Sequence, residues 1–331
     1  MTLRELRKTP LFERDRVLLV SAGAVTVVLW ASAFVGIRAA AGDFDPGALT
    51  LGRIAVGTVA LAIFQLATRR RRGTRVPSGP SAPSVARRRV RDAPRWVVIG
   101  VIAWGVAWFG VYNLALNAAE RHIDAGTAAL LVNIAPMITA VLAGLLLGEG
   151  FPRRLLLGML VSLMGVIVVA IATSTGRFDA IGVALGVLAA VIYGAAATVQ
   201  KRLLQHLDSS TMTLIGCLAG TLACLPFLPN LLRALEAAPA SSILAVVYLG
   251  VFPTAVAFTT WGYVLSRASA GRTAATTYAV PAVVILLSWL VLNETPPALA
   301  IAGGAVALAG VAIATRRRRT PPPGSVPMAN R

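Results

Sequence analysis

Ten segments of roughly 18 to 25 residues along this chain are apolar on every face, which is the length of helix that crosses a hydrocarbon layer of ~30 Å. The pattern predicts spans near 17–40, 46–67, 96–119, 125–147, 155–172, 180–203, 211–228, 242–265, 274–292 and 298–315. Barrel strands would alternate apolar and polar positions over about ten residues, and these runs do not alternate. The expected fold is an all-α integral membrane protein of ten transmembrane helices.

The runs repeat. Pro136, Glu149, Pro152, Gly158 and Gly165 recur 145 residues later as Pro281, Glu294, Pro297, Gly303 and Gly310. In the first two spans of each half the offset is 163: Gly23, Arg38, Gly57 and Thr58 match Gly186, Lys201, Gly220 and Thr221, and Trp30 meets Tyr193. The offset shrinks because the first half carries about 18 extra residues, which we assign to the segment RRRRGTRVPSGPSAPSVARRRVRDAPR. Five spans per half is an odd number, so two such units, 17–175 and 180–315, must lie inverted relative to each other. That is a common geometry of alternating-access carriers.

Composition agrees with a membrane solvent: 57% of residues are hydrophobic and 13% charged. The net charge of +18 first suggests nucleic acid, but its distribution says otherwise. With the N-terminus inside, 26 of 31 Lys and Arg fall in cytoplasmic segments, chiefly the tails 1–16 and 316–331 and the loop 68–95. The bias places both termini in the cytoplasm of a multi-pass protein of the cell membrane. No aromatic residues interleave the basic clusters, so nucleic acid is not an expected partner. The basic loop reads as a topogenic signal, with contact to anionic membrane lipids as the alternative.

Cys217 and Cys224 lie seven residues apart on one span, about 10 Å along the axis, too far for a disulfide. The first apolar run is too long for a cleaved leader. Neither a nucleotide-binding glycine loop, a metal-ligand cluster nor a nucleophile–base arrangement occurs, so no cofactor, metal or catalytic residue is expected. A membrane enzyme acting on lipid-linked substrates would show acidic or His clusters at an interface. A channel or sensor would show a continuous polar face on a span. Both remain alternatives to a carrier.

The blocks APMITAVLAGLLLGEGFPRRLLLGMLVSLMGV and VPAVVILLSWLVLNETPPALAIAGGAVALAGV, with WASAFVGIRAA in the first span and LTLGRIAVG in the second, resemble the EamA family of the drug/metabolite transporter superfamily over roughly residues 17–315. The resemblance implies a ten-helix inverted-repeat permease that moves small metabolites, such as amino acids and their derivatives, with export the expected direction. The second half departs from the first where Gly216 stands opposite Arg53.

Several residues are candidates for the site. Arg53 lies seven residues into the second span, where a charge is costly unless it faces a cavity or partner. It either attracts a substrate carboxylate or phosphate, or snorkels or pairs with Asp43, Asp45 or Asp124. Asn133 and Tyr278 each stand three residues before the symmetric prolines and are expected on a central cavity wall, joined by Trp30 and Tyr193; the alternative is an interhelical hydrogen bond. Trp104, Trp108 and Tyr112 follow at four-residue spacing on one helix face, with Asn113 and Asn117 nearby, and either stack a solute or pack as a belt. Glu149 and Glu294 are expected to accept N–H groups of the helix that follows each, with proton coupling as the alternative.

Overall fold

The computed structural model describes residues 10–73, 93–123, 125–173, 179–292 and 297–316. Glu294, Asp124 and most of the basic loop lie outside the described residues. Among those described there is no strand, and the chain is a bundle of helices. In chain order they are α1 (Pro10–Ala40), α2 (Pro46–Gly73), α3 (Arg95–His122), α4 (Ala125–Val132), α5 (Ala135–Leu146), α6 (Arg153–Thr173) and α7 (Ala180–Leu203). Then come α8 (Ser209–Ala223), α9 (Leu228–Ala237), α10 (Ala240–Arg267), α11 (Ala270–Ala275), α12 (Val280–Leu292) and α13 (Ala298–Thr315).

Eight helical stretches among the described residues are long and apolar enough to cross a membrane unaided. Two of the expected spans are broken instead. The run 125–147 divides into α4 and α5 at Asn133–Ile134, because Pro136 lacks an N–H and its ring crowds the carbonyl of Val132 one turn back. The run 211–228 ends at Ala223, and the chain passes Pro226 into α9 with a bend of 53°. The expected span 274–292 begins earlier, at Ala270, and tightens to a 3₁₀ turn over Thr276–Ala279, where Pro281 acts on Thr277 as Pro136 acts on Val132.

α3 and α10 each contain a seven-residue π-helical segment, Val106–Tyr112 and Gly250–Val256. In α10 the cause is Pro253, which removes the bond to the Leu249 carbonyl; the Thr254 hydroxyl donates to that same carbonyl at 2.8 Å. In α3 the Asn113 amide inserts into the ladder and donates to the carbonyls of Trp108 and Phe109, each at 3.0 Å. These irregularities recur at nearly the offset of the sequence repeat.

Polar side chains lie buried within the apolar core of the bundle, and large apolar ones face outward. Thr50, Arg53, Asn113, Asn117, Asn133, Ser162 and Gln200 are buried, while Ile63, Ile99, Leu145, Leu157, Ile171 and Leu290 are exposed. An exposed apolar surface of this extent suits lipid rather than water.

Contacts between the halves recur with the partners exchanged. A methyl group on Gly165 would come within 2.6 Å of the Gly303 carbonyl, and one on Gly310 within 2.6 Å of the Gly158 carbonyl. Gly105 packs on the backbone of Gly216, and Gly250 packs on the backbone of Arg53, the equivalent pair. Equivalent residues also meet each other: Thr58 and Thr221 hydroxyls lie 3.1 Å apart, and the Ser162 hydroxyl donates to the Ala307 carbonyl at 3.0 Å. Glycine is required along these seams because any Cβ would collide with a facing backbone. The GxxxG pair Gly182/Gly186 likewise receives Ile123 and Leu131, and Gly216/Gly220 receives Trp104 and Phe109.

Candidate functional site

A cavity of about 90 Å³ lies in the middle of the bundle. Its wall takes Trp30 and Phe34 from α1, Arg53 from α2, Trp108, Tyr112 and Asn113 from α3, Tyr193 from α7 and Phe258 from α10. The break between α4 and α5 supplies Asn133, and the 3₁₀ turn supplies Thr277. The helix irregularities therefore cluster around the space they open.

Seven of the eight expected substrate-binding residues line this one cavity: Trp30, Arg53, Trp108, Tyr112, Asn113, Asn133 and Tyr193. Tyr278 does not. It is fully buried with Ala140, Met159 and Ala307, and its neighbour Thr277 faces the cavity in its place. The tight 3₁₀ turn changes the direction of successive side chains from the α-helical one that the sequence spacing assumed. Trp104 also falls outside the wall, although it shares the four-residue spacing of Trp108 and Tyr112; the π segment between them shifts the helical phase.

The positions that meet here are related by the repeat. Trp30 and Tyr193 differ by 163 residues, while Asn113 and Phe258, and Val132 and Thr277, each differ by 145, and all six line the cavity. Aromatic rings share the wall with Arg53. Trp30 lies 6.1 Å from Tyr193 and 5.3 Å from Phe258 between ring centres, and Trp108 lies 5.2 and 5.4 Å from the same two rings. Behind them Trp261 is held by its indole N–H donating to Gln200 Oε1 at 2.9 Å. Such a lining offers an apolar or cationic solute broad, rigid contact.

Arg53 is 5% exposed, and its Nε finds no hydrogen-bond partner. Two of the carboxylates considered for it are engaged elsewhere: Asp45 accepts from the N–H groups of Gly47 and Ala48 and from Asn230, and Asp43 accepts from Ser242. The acidic residue whose field reaches Arg53 is Glu120. Among the described residues no carboxylate closes to within 4.0 Å of the guanidinium. The spacing Asn113, Asn117, Glu120 on one helix face carried this signal in the sequence.

Glu149 does receive helix N–H groups, but not those of α6, which follows it. Its Oε1 accepts from Ala270 N at 2.7 Å and its Oε2 from Gly271 N at 3.2 Å, so it caps α11 from the other half of the chain. Lys201 holds the same connection from the other side, donating to the carbonyls of Leu265 and Ala268 at 2.6 and 2.7 Å. His122 pairs with Asp179 at 2.9 Å, and among the described residues no group of His, Cys, Asp and Glu is placed to hold a metal ion. Cys217 and Cys224 are free and buried.

The model of the EamA-like transporter family matches residues 18–171 and again 180–316. The chain is 35% identical over 293 residues to a protein of Streptantibioticus cattleyicolor named "Probable terminal-alkyne amino-acid exporter", covering 88% of this chain and 92% of that one. It is 25% identical to a Salmonella typhimurium protein named "Probable amino-acid metabolite efflux pump", over 62% of this chain and 72% of the other. A solved crystal structure shares the fold with a TM-score of 0.68 at 20% identity, covering 90% of this chain and 96% of the other.

Proposed function

Because this chain belongs to the EamA-like transporter family, we propose that it exports small metabolites, amino acids or their derivatives, through the central cavity by alternating access. Membership of the family makes the protein a multi-pass membrane transporter of small metabolites. Its finer architecture is our reading, ten spans in two inverted halves, with α4 and α5 together forming the fourth span and α8 the seventh.

One observation carries this reading. Three pairs of repeat-equivalent positions line a single cavity, and the inter-half contacts Gly105–Gly216 and Gly250–Arg53 repeat with the partners exchanged. That reciprocity is the mark of a two-fold relation. When each half crosses the membrane an odd number of times, a two-fold axis between the halves lies in the membrane plane and makes the two faces of the cavity interchangeable, as alternating access requires. Arg53 supplies the attraction for an anionic group and the aromatic wall supplies the contact for the rest of the solute. Glu149 acts as a helix cap in this reading, and no chemistry is performed on the substrate.

The test is a metabolite uptake and efflux screen with the purified protein in liposomes, with and without an imposed pH gradient. Saturable exchange of a small metabolite that is lost on filling the cavity, as in Thr277→Trp, is expected. A protein that moves no metabolite in either direction, or moves one unaffected by that substitution, would not be a carrier working through this cavity.

A further inference from the structure

The two halves match in sequence but differ in shape, and the difference falls on one pair of positions. Ile37 and Leu116, near the C-terminal ends of α1 and α3, both line the cavity. Adding the repeat offsets of 163 and 145 gives their equivalents in the second half, Gln200 and Trp261, near the C-terminal ends of α7 and α10. These two are closed on each other. The Trp261 indole N–H donates to Gln200 Oε1 at 2.9 Å, and both side chains are buried. In the proposed topology the first pair flanks the cavity on its outer side, and the second seals it on its cytoplasmic side. The same offsets convert the observed contact Gly105–Gly216 into the observed contact Gly250–Arg53, so they hold in the packed bundle as well as in the sequence.

Two buried polar atoms fall under the same operation. Gln200 Nε2 and the Tyr278 hydroxyl have no hydrogen-bond partner among the described residues. Gln200 is the equivalent of Ile37 and Tyr278 the equivalent of Asn133, and both Ile37 and Asn133 line the cavity. An unpaired polar group is costly in a closed interior, and a hydrated cavity on this side would satisfy both. Copies of one unit that adopt two shapes can exchange them, and the exchange turns the equivalents of the present wall into the wall of the other state.

We propose that Gln200, Trp261 and Tyr278 form the wall of a second, cytoplasm-facing cavity, and that the Gln200–Trp261 hydrogen bond is the latch that closes it here. Trp30 and Tyr193, Asn113 and Phe258, and Val132 and Thr277 are each other's equivalents, so they stay on the wall in both states. The solute keeps those contacts while Ile37, Leu116 and Asn133 give way to Gln200, Trp261 and Tyr278. The opened wall presents the Gln200 amide N–H and the Tyr278 O–H as donors to an oxygen of the solute. This rests on the carrier reading above and names the residues of its second state.

The test uses two single-cysteine reporters, Ala257→Cys, at the equivalent of the cavity residue Tyr112, and Ile37→Cys on the present wall. Ala257 is fully buried in this structure, so only another state exposes it. A membrane-impermeant sulfonated maleimide is applied to inside-out and right-side-out vesicles. Rates are taken above that of the parent protein, whose Cys217 and Cys224 are buried. Ala257→Cys should react from the cytoplasmic side and Ile37→Cys from the outer side, with Tyr278→Cys as a second cytoplasmic reporter. Trp261→Leu places at the latch the residue found at its equivalent, Leu116, and removes the hydrogen bond. It should raise the cytoplasmic rate about threefold or more and lower the outer one, because two states in one equilibrium gain only at each other's expense. Gln200→Leu breaks the same bond from the other side and should shift the two rates in the same directions. A rise in both rates is general loosening and overturns the proposal. No cytoplasmic reaction at either reporter, in a protein that exchanges metabolites in liposomes, also overturns it and leaves the carrier reading intact, whereas exchange of nothing in the broad screen removes both.

Discussion

Arg53 is a buried guanidinium, 5% exposed, with its Nε unpartnered. If its planar fork holds an anionic group, Arg53→Lys keeps the charge and loses the geometry, so exchange should fall about tenfold or more while the melting temperature changes little. Full exchange in that variant would remove Arg53 from recognition. A second residue-scale prediction concerns Asp179, which precedes α7 outside the membrane-spanning helices. The hydrogen bond with His122, helped by the N–H of Ile181, holds its carboxyl below the usual carboxylate range. The folded protein therefore binds this proton more weakly than the unfolded chain does. The stabilisation is complete above the ordinary value of about 3.9 and fades as the pH falls through the folded value. Asp179→Ala should melt below the wild type at neutral pH, and the two melting curves should converge in acid. A gap that stays constant down to pH ~2 would assign the loss to something other than this ionisation.

Elements here are shaped by a few backbone-specific residues. Pro136, Pro253 and Pro281 each remove a donor from a helix, and the resulting break, π segment and 3₁₀ turn bring Asn133, Phe258 and Thr277 to the cavity. Glycines do the opposite work, drawing α6 and α13 together until backbone meets backbone. Gly165→Ala would drive a methyl group into the Gly303 carbonyl and should cost about 1–3 kcal/mol, seen as a lower melting temperature in detergent. Gly23→Ala, with nothing within 4 Å of the added carbon, is the matched control and should be neutral or slightly stabilising. Equal effects of the two substitutions would contradict the seam. Pro136, Pro281 and the seam glycines were legible in the sequence as punctuation, since they recur at the repeat offset, whereas Pro253 stands opposite Trp108 and has no counterpart. The phase change they cause was not, which is why Tyr278 was expected on the wall from its spacing and lies off it.

At the scale of the whole molecule, the inverted arrangement depends on topology. Reporters fused after Arg331 and inserted within 69–95 should both lie in the cytoplasm, and one inserted near Asp43 should lie outside. A C-terminus on the far side of the membrane would give the halves unequal numbers of spans and end the two-fold argument. Glu149 and Lys201, both bonded to the connection between α10 and α11, hold together the end of the bundle at which they lie. In the proposed topology that end faces the cytoplasm, and the two Glu149 bonds, which join one half to the other, are contacts expected to open when the cavity turns inward.

Membrane class, helical content, duplication and seven of the cavity residues were legible in the sequence alone. Uninterrupted apolarity has one stable outcome in lipid, and a repeat in the chain is a repeat in the fold wherever both copies bury the same faces. Seven cavity residues were recognisable because a polar or aromatic side chain in mid-span is costly unless it faces a space. Only the tertiary structure decided which partners those residues meet. Glu149 caps a helix 121 residues away rather than the one that follows it, and Glu120 comes under the influence of Arg53 across the contact of α2 with α3. Local pattern fixes which face of a helix is buried, but which helix lies against that face depends on the packing of the whole bundle, and that is not written in the spacing of any one segment.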